Sequence, residues 1–219
     1  CLTPHFVKRA PFWVALSRAG RRVAICDIPL SGVTPEINGI QIVEWGAHDH
    51  NLGFATWPPT LKDEILSTFG PYPLQGLCNA KSRTTAEYAA FRDTMVEAVR
   101  RKADLTCHYL RQGGWDFFAQ VFTESHCTGH QCWHFHDPIC PRHDPAALAQ
   151  IGDPVRDVYV AIDAAIGRIV AEAGADATVV LMMGHGMGYK YGPYFLLPEI
   201  LVRLGVAAPA AKPSVADQA

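Results

Sequence analysis

A chain of 219 residues can bury one full domain core, or most of a larger one. It is 49% hydrophobic and 18% charged, with a formal net charge of -2, which excludes an electrostatic case for a nucleic-acid polymer or an anionic membrane as partner. Free-standing domains carry about 25% charged residues, so the lower value here fits a chain with part of its surface covered. No run of about 18 apolar residues predicts a transmembrane helix. The opening Cys1-Leu2-Thr3-Pro4-His5 has neither an initiator Met nor a basic-then-apolar start, so no signal peptide is expected and residues upstream of Cys1 are expected to be missing. The seven cysteines are odd in number and scattered, a pattern of reduced thiols and a cytoplasmic location.

Pro11 to Ala19 reads as a helix, with Pro11 in its first turn, Phe12, Trp13 and Leu16 on one face, and Gly20 as the stop. Residues 22–27 (Arg-Val-Ala-Ile-Cys-Asp) read as a buried strand and Ile40 to Val43 as a second. Trp45 to Pro59, rich in His, Gly and Pro, is expected to be loop. A short helix opens at Thr60 and ends near Gly70. Thr84-Thr85-Ala86-Glu87 is a capping box. It starts the longest predicted helix, which reaches about Gln112 with an apolar stripe of Tyr88, Phe91, Met95, Val99 and Ala103. Trp115 to Phe122 is aromatic and β-branched, so it predicts a core strand, followed by a histidine-rich loop. Asp153-Pro154 starts another helix that stops at Gly174. Thr178 to Met183 is the most apolar predicted strand, of the kind buried on both faces of a parallel sheet, and Pro198 to Leu204 is a last helix. Alternation of this kind predicts an α/β fold, a mostly parallel sheet with helices on both faces. One domain is expected over residues 1–205, with an Ala/Pro-rich flexible tail over 206–219. Ligands of such sheets sit beyond the C-terminal ends of the strands, so the two segments that follow core strands can share one cleft.

Those two segments hold the candidate chemistry. The first is Glu124-Ser125-His126-Cys127-Thr128-Gly129-His130-Gln131-Cys132-Trp133-His134-Phe135-His136-Asp137. Neutral imidazole is the commonest metal ligand near neutral pH, and a helical turn would put His126, His130 and His134 on one face. The competing reading is histidines that only hydrogen-bond loop backbone. A third is a structural zinc site within 127–143, built from Cys127, Cys132, Cys140 and His143 with His134 or His136, although the paired Cys-x-x-Cys hook is missing. The second segment is Gly184-His185-Gly186-Met187-Gly188, whose glycines allow a close backbone approach to a ligand and expose the imidazole, or else form an ordinary tight turn. Asp27 ends a strand but precedes Ile28-Pro29 and reads as a turn-former or cap. His48, Asp49 and His50 read as a solvated loop more than a substrate contact. No P-loop, Gly-x-Gly-x-x-Gly or Gly-x-Ser-x-Gly elbow is present.

Thr123-Glu124-Ser125-His126-Cys127-Thr128-Gly129-His130, with the downstream apolar strand and Gly184-His185-Gly186-Met187, resembles the type I phosphodiesterase/nucleotide pyrophosphatase family of the alkaline phosphatase superfamily. The resemblance covers about Pro11 to Leu204. It implies an alkaline phosphatase-like fold and metal-dependent hydrolysis of a phosphodiester, pyrophosphate or related ester in a small nucleotide-like substrate. It also implies divalent metals, usually zinc, and a Thr or Ser nucleophile, expected here upstream of Cys1. By motif, His130 matches the metal-binding histidine of the family's Gly-His pair and His185 that of Asp-His-Gly-Met. His126 stands where the family has an acidic ligand and can still bind metal. Gly184 stands where the family has a carboxylate and cannot, and no histidine follows His185. The expected metal ligands are therefore His126, His130 and His185, with Glu124, His134 and Lys190 at the substrate. A non-catalytic binding protein with a degraded metal site is the alternative.

Overall fold

The computed structural model describes residues 9–47, 52–74, 83–184, 186–189 and 196–208. The chain divides into two compact units, Cys1–Gly188 and Tyr189–Ala219. The first is an α/β unit with elements in the order α1 (Phe12–Arg18), β1 (Val23–Cys26), β2 (Gly39–Val43), β3 (Ala55–Trp57), α2 (Leu61–Phe69), α3 (Thr85–Arg111), β4 (Phe117–Gln120), α4 (Glu124–His136), α5 (Pro145–Ile151) and α6 (Pro154–Ala173). In the second, α7 spans Leu197–Arg203. Among the described residues no helix is long and apolar enough to cross a membrane.

The sheet order is β3-β2-β1-β4. β1 pairs in parallel with β2 (Val23 opposite Gly39) and with β4 (Val23 opposite Phe117), while β3 runs antiparallel to β2. Every residue of the central strand β1 is buried. Its side chains alternate between two cores, as strand geometry requires. Ala24 and Cys26 face the larger core with Ile65 of α2, Met95 and Val99 of α3, Phe135 of α4 and Val158 of α6. Val23 and Ile25 face Trp13 and Val14 of α1. Helices thus cover both faces. Gly39 is what lets β2 start beside β1: its φ is +143° and a β-carbon there would fall 1.9 Å from the Val23 carbonyl oxygen.

Local chemistry accounts for the helix termini. Thr84 and Glu87 form the expected capping box at α3. The Asp153 carboxylate accepts from Val155 and Arg156 N–H, with Pro154 in the first turn of α6 and Gly174, φ +85°, just past its end. The α3 stripe is as expected: Phe91, Met95, Val99 and Ala103 are buried against α6 and α4.

Four features depart from the sequence expectations. Ala55–Trp57 is a short antiparallel strand within the segment expected to be loop. α5 is a helix of its own, capped by Asp144 with Pro145 in its first turn. The histidine-rich segment is the helix α4 and not a loop. Thr128 and Gly129 are poor helix formers, but Cys127, Thr128, Gln131, Cys132 and Phe135 bury one face, and this packing outweighs propensity. Finally, Thr178 to Met183 forms no strand. Val179 to Met183 are 52% to 86% exposed, and Val179 and Val180 stand across an open groove of about 580 Å³ from Phe118 and Gln120 of β4. Apolar, β-branched composition expresses a preference for a pleated, half-buried surface. Pairing also requires an edge about 4.8 Å away, and this segment does not reach it. β4 is accordingly half-buried. The tail beyond residue 208 lies outside the described residues.

Candidate functional site

Three parallel strands end at one edge, and a buried polar cluster fills it. Asp27 follows the last residue of β1 and Glu44 the last of β2, both non-glycine residues with positive φ, +54° and +55°. Such backbone is uncommon and costs energy unless neighbours hold it. Here they do. The Asp27 carboxylate accepts from Trp45 N–H and Gly46 N–H, each at 3.0 Å. The Glu44 carboxylate accepts from Leu52 N–H at 2.9 Å and Gly53 N–H at 2.6 Å.

Lys102, in the middle of α3, is fully buried beneath this edge. Its ammonium donates to Gly46 O at 2.7 Å and Val121 O at 3.1 Å. It also lies 3.1 Å from Glu124 Oε1 and 3.7 Å from Asp27 Oδ2. The Tyr72 hydroxyl donates to the same Glu124 Oε1 at 2.7 Å, and Thr123 Oγ1 donates to Gly46 O at 2.9 Å. Glu124 Oε2 is buried and has no hydrogen-bond partner among the described residues. Burial pushes the Asp27 carboxyl above its ordinary range, Lys102 opposes this, and Glu124 adds to it. Burial first, then the Glu124 charge, pushes the Tyr72 phenol up, so it stays a donor. Burial and Asp27 likewise push the Cys26 thiol up, which keeps it protonated and unreactive. Asp27 thus caps the Trp45 and Gly46 N–H groups, as a turn-forming or capping residue would, and its carboxyl also faces Lys102 inside the cluster.

The cluster meets α4 at Glu124, its first residue. Glu124, expected at the substrate, is fully buried and turned inward. On the same helix the rings of His126 and His130 stand edge to face, centroids 4.3 Å apart, and both residues are half-buried. His134 is one turn further on, but its ring packs against Tyr88 at 5.1 Å and Phe135 at 4.1 Å. Gly129, beside His130, receives Met187: a β-carbon on Gly129 would fall 2.8 Å from Met187 Sδ. Met187 of the second motif thus packs directly on α4. His185, Lys190 and the His48-Asp49-His50 loop lie outside the described residues.

The structural zinc site read from 127–143 does not assemble. Among the described residues no group of three or more His, Cys, Asp or Glu could hold a metal. His136 Nδ1 lies 2.6 Å from Asp153 Oδ2, and His143 Nδ1 donates to His134 O at 2.9 Å. Cys127, Cys132 and Cys140 are buried.

The family model for type I phosphodiesterase / nucleotide pyrophosphatase matches residues 2–191 of the 219. The chain belongs to that family. No curated protein and no solved structure matches it. Type I phosphodiesterases and nucleotide pyrophosphatases are hydrolases, and the family is typically dependent on divalent metals, so the donor set here has to be tested against such an ion. Two imidazoles four residues apart on one helix are a familiar half of a zinc site. His126 and His130 fit a divalent cation as two of its ligands, with a third donor needed from outside the described residues. The Asp27–Glu124 pair does not fit, because the Lys102 ammonium already stands between the two carboxylates.

His134 gives this helix a pH signature. Burial, then the Arg142 charge, holds its imidazole below the ordinary range, and Asp144 opposes only in part. The unfolded chain therefore binds a proton near pH 6.5 that the folded chain refuses until lower pH, so stability falls as pH drops below about 6.5. Urea midpoints are expected to decline between about pH 7.5 and about pH 5.5, and His134→Gln should flatten that decline. An unchanged slope in His134→Gln would remove His134 from the account.

Proposed function

We propose that this protein hydrolyses a phosphodiester or pyrophosphate bond in a small nucleotide-like substrate, with zinc held by His126, His130 and His185 on an alkaline phosphatase-like fold. The observation that carries the reading is the His126–His130 pair, 4.3 Å between ring centroids, on a helix at the C-terminal edge of the parallel strands, with Met187 of the second motif seated on Gly129. His185 is two residues from Met187 in the sequence. A divalent cation bound there supplies Lewis-acid polarisation of a phosphoryl oxygen. The chain's part is positional. His126 and His130 present nitrogen donors, which select zinc-like ions over magnesium. Gly129 lets the second motif approach α4 closely. Glu124, buried as it is, supports α4 in place of meeting substrate, and His134 is left as the helix's substrate-side imidazole. The seven scattered cysteines, odd in number, suit a reducing compartment such as the cytosol.

Gly184 sets the expected stoichiometry. A carboxylate at this position would add charge that offsets a second ion, and glycine adds none. One zinc per chain is expected. A β-carbon on Gly184 would meet nothing within 4 Å, so Gly184→Asp is sterically free and should raise occupancy towards two. Equilibrium dialysis against zinc tests both statements: wild type should bind one ion, His130→Ala should lose it, and Gly184→Asp should gain. Zinc binding unaltered by His130→Ala would sink the site.

A further inference from the structure

We infer that Lys102, acting through Glu124, is a positioning residue for the His126–His130 pair. The inference rests on the zinc reading above and assigns a purpose to a network that the chemistry of bond hydrolysis does not itself require.

The N-terminus of α4 has no side-chain cap, because Thr123 Oγ1 is turned away to Gly46 O. What fixes the first residue is the Glu124 carboxylate, whose Oε1 is gripped by Tyr72 at 2.7 Å and Lys102 at 3.1 Å. The ammonium has three hydrogens. Its partners are Glu124 at the head of α4, Gly46 O after β2 and Val121 O after β4. One side chain of α3 thereby ties two strand ends and the start of α4 to a single point. His126 follows Glu124 by two residues and His130 by six, with no break in the helix between them. A metal site tolerates about 0.2 Å in ligand distance. At the helix surface, about 5 Å from the axis, a rotation of a few degrees moves a ring further than that.

Stability alone does not explain the arrangement. Position 102 continues the buried stripe of Met95 and Val99, where an apolar side chain would pack without desolvating charge. Among the described residues the network also leaves Glu124 Oε2 buried and without a hydrogen bond, which an arrangement selected only for stability would avoid. The gain is placement of α4.

Zinc competition titrations and cobalt(II) absorption spectra on the full chain test this. Tyr72→Phe removes one hydroxyl, and Glu124→Gln keeps the shape of the side chain while removing its charge. Both should stay folded by near-ultraviolet circular dichroism, bind zinc about 10-fold or more weakly, and show a displaced cobalt spectrum, which lost stability alone would not produce. Lys102→Met should do the same if it folds. Unchanged zinc affinity and an unchanged cobalt spectrum in folded Tyr72→Phe and Glu124→Gln overturn the inference. His130→Ala in parallel separates the two levels. If it loses zinc while those variants do not, the metal site stands and the positioning role falls. If wild type takes up no zinc through His130, both fall.

Discussion

Lys102→Met is expected to lower the free energy of unfolding by about 3–5 kcal/mol, the usual result of removing one partner from a buried ion pair. The side chain is fully buried, and its loss strands the Asp27 and Glu124 carboxylates with one another. Burial already lifts the Asp27 carboxyl above its ordinary range and Glu124 adds to this; without Lys102 only the Gly46 and Trp45 N–H groups oppose the rise. Urea unfolding measures the loss. Adding Asp27→Asn and Glu124→Gln to Lys102→Met should recover much of it, because the triple variant leaves no uncompensated charge, and the sites are close enough to be strongly non-additive. A loss below about 1 kcal/mol in the single variant, the worth of an exposed pair, would mean that the ammonium is not buried between two anions.

Gly46→Ala should be nearly as damaging for a different reason. A β-carbon there would fall 2.6 Å from Lys102 Cε and 2.6 Å from Tyr72 Cε2, both in the cluster and both buried. Overpacking of this kind costs about 1–3 kcal/mol. It also forces Lys102 away from Gly46 O, so part of the network is lost with it. Gly184→Ala is the matched control, since a β-carbon at 184 meets nothing. Thermal unfolding should separate the two clearly. Equal midpoints would contradict the packing around Gly46.

Much of the frame could be read from the sequence, because local chemistry sets it. The capping box at Thr84, the Asp153-Pro154 start and the Gly174 stop each bound a helix as expected. The same signal stood at Asp144-Pro145 with Gly152 beyond, and it would have found α5. β3 was illegible: three residues amid Gly and Pro carry no periodicity, and its pairing with β2 is decided at long range. The site was half legible. His126 and His130 were found as a spacing of four and come together on α4. Lys102 was missed because Arg100-Arg101-Lys102 looks like a solvated basic run. Arg100 and Arg101 do face outward to Glu97, whose carboxyl they lower to about 2. The signal that sets Lys102 apart is its place three residues after Val99 and seven after Met95, on the buried stripe. Asp27 was discounted for its neighbour Pro29, although a carboxylate at the end of a central parallel strand stands where such sheets build their sites.

The proposed role of the His126–His130 pair on α4, zinc-dependent phosphodiester hydrolysis, is open to a direct test. The direct measurement is the rate at which the full-length protein cleaves bis(4-nitrophenyl) phosphate after chelation and after zinc is restored, in wild type and in His130→Ala. Wild type should turn over slowly, fall to background on chelation, and recover with zinc. His130→Ala should lose about 100-fold or more at every zinc concentration, a barrier change of about 3 kcal/mol. A chelated wild type that retains its rate, or a His130→Ala variant as fast as wild type, would contradict the account.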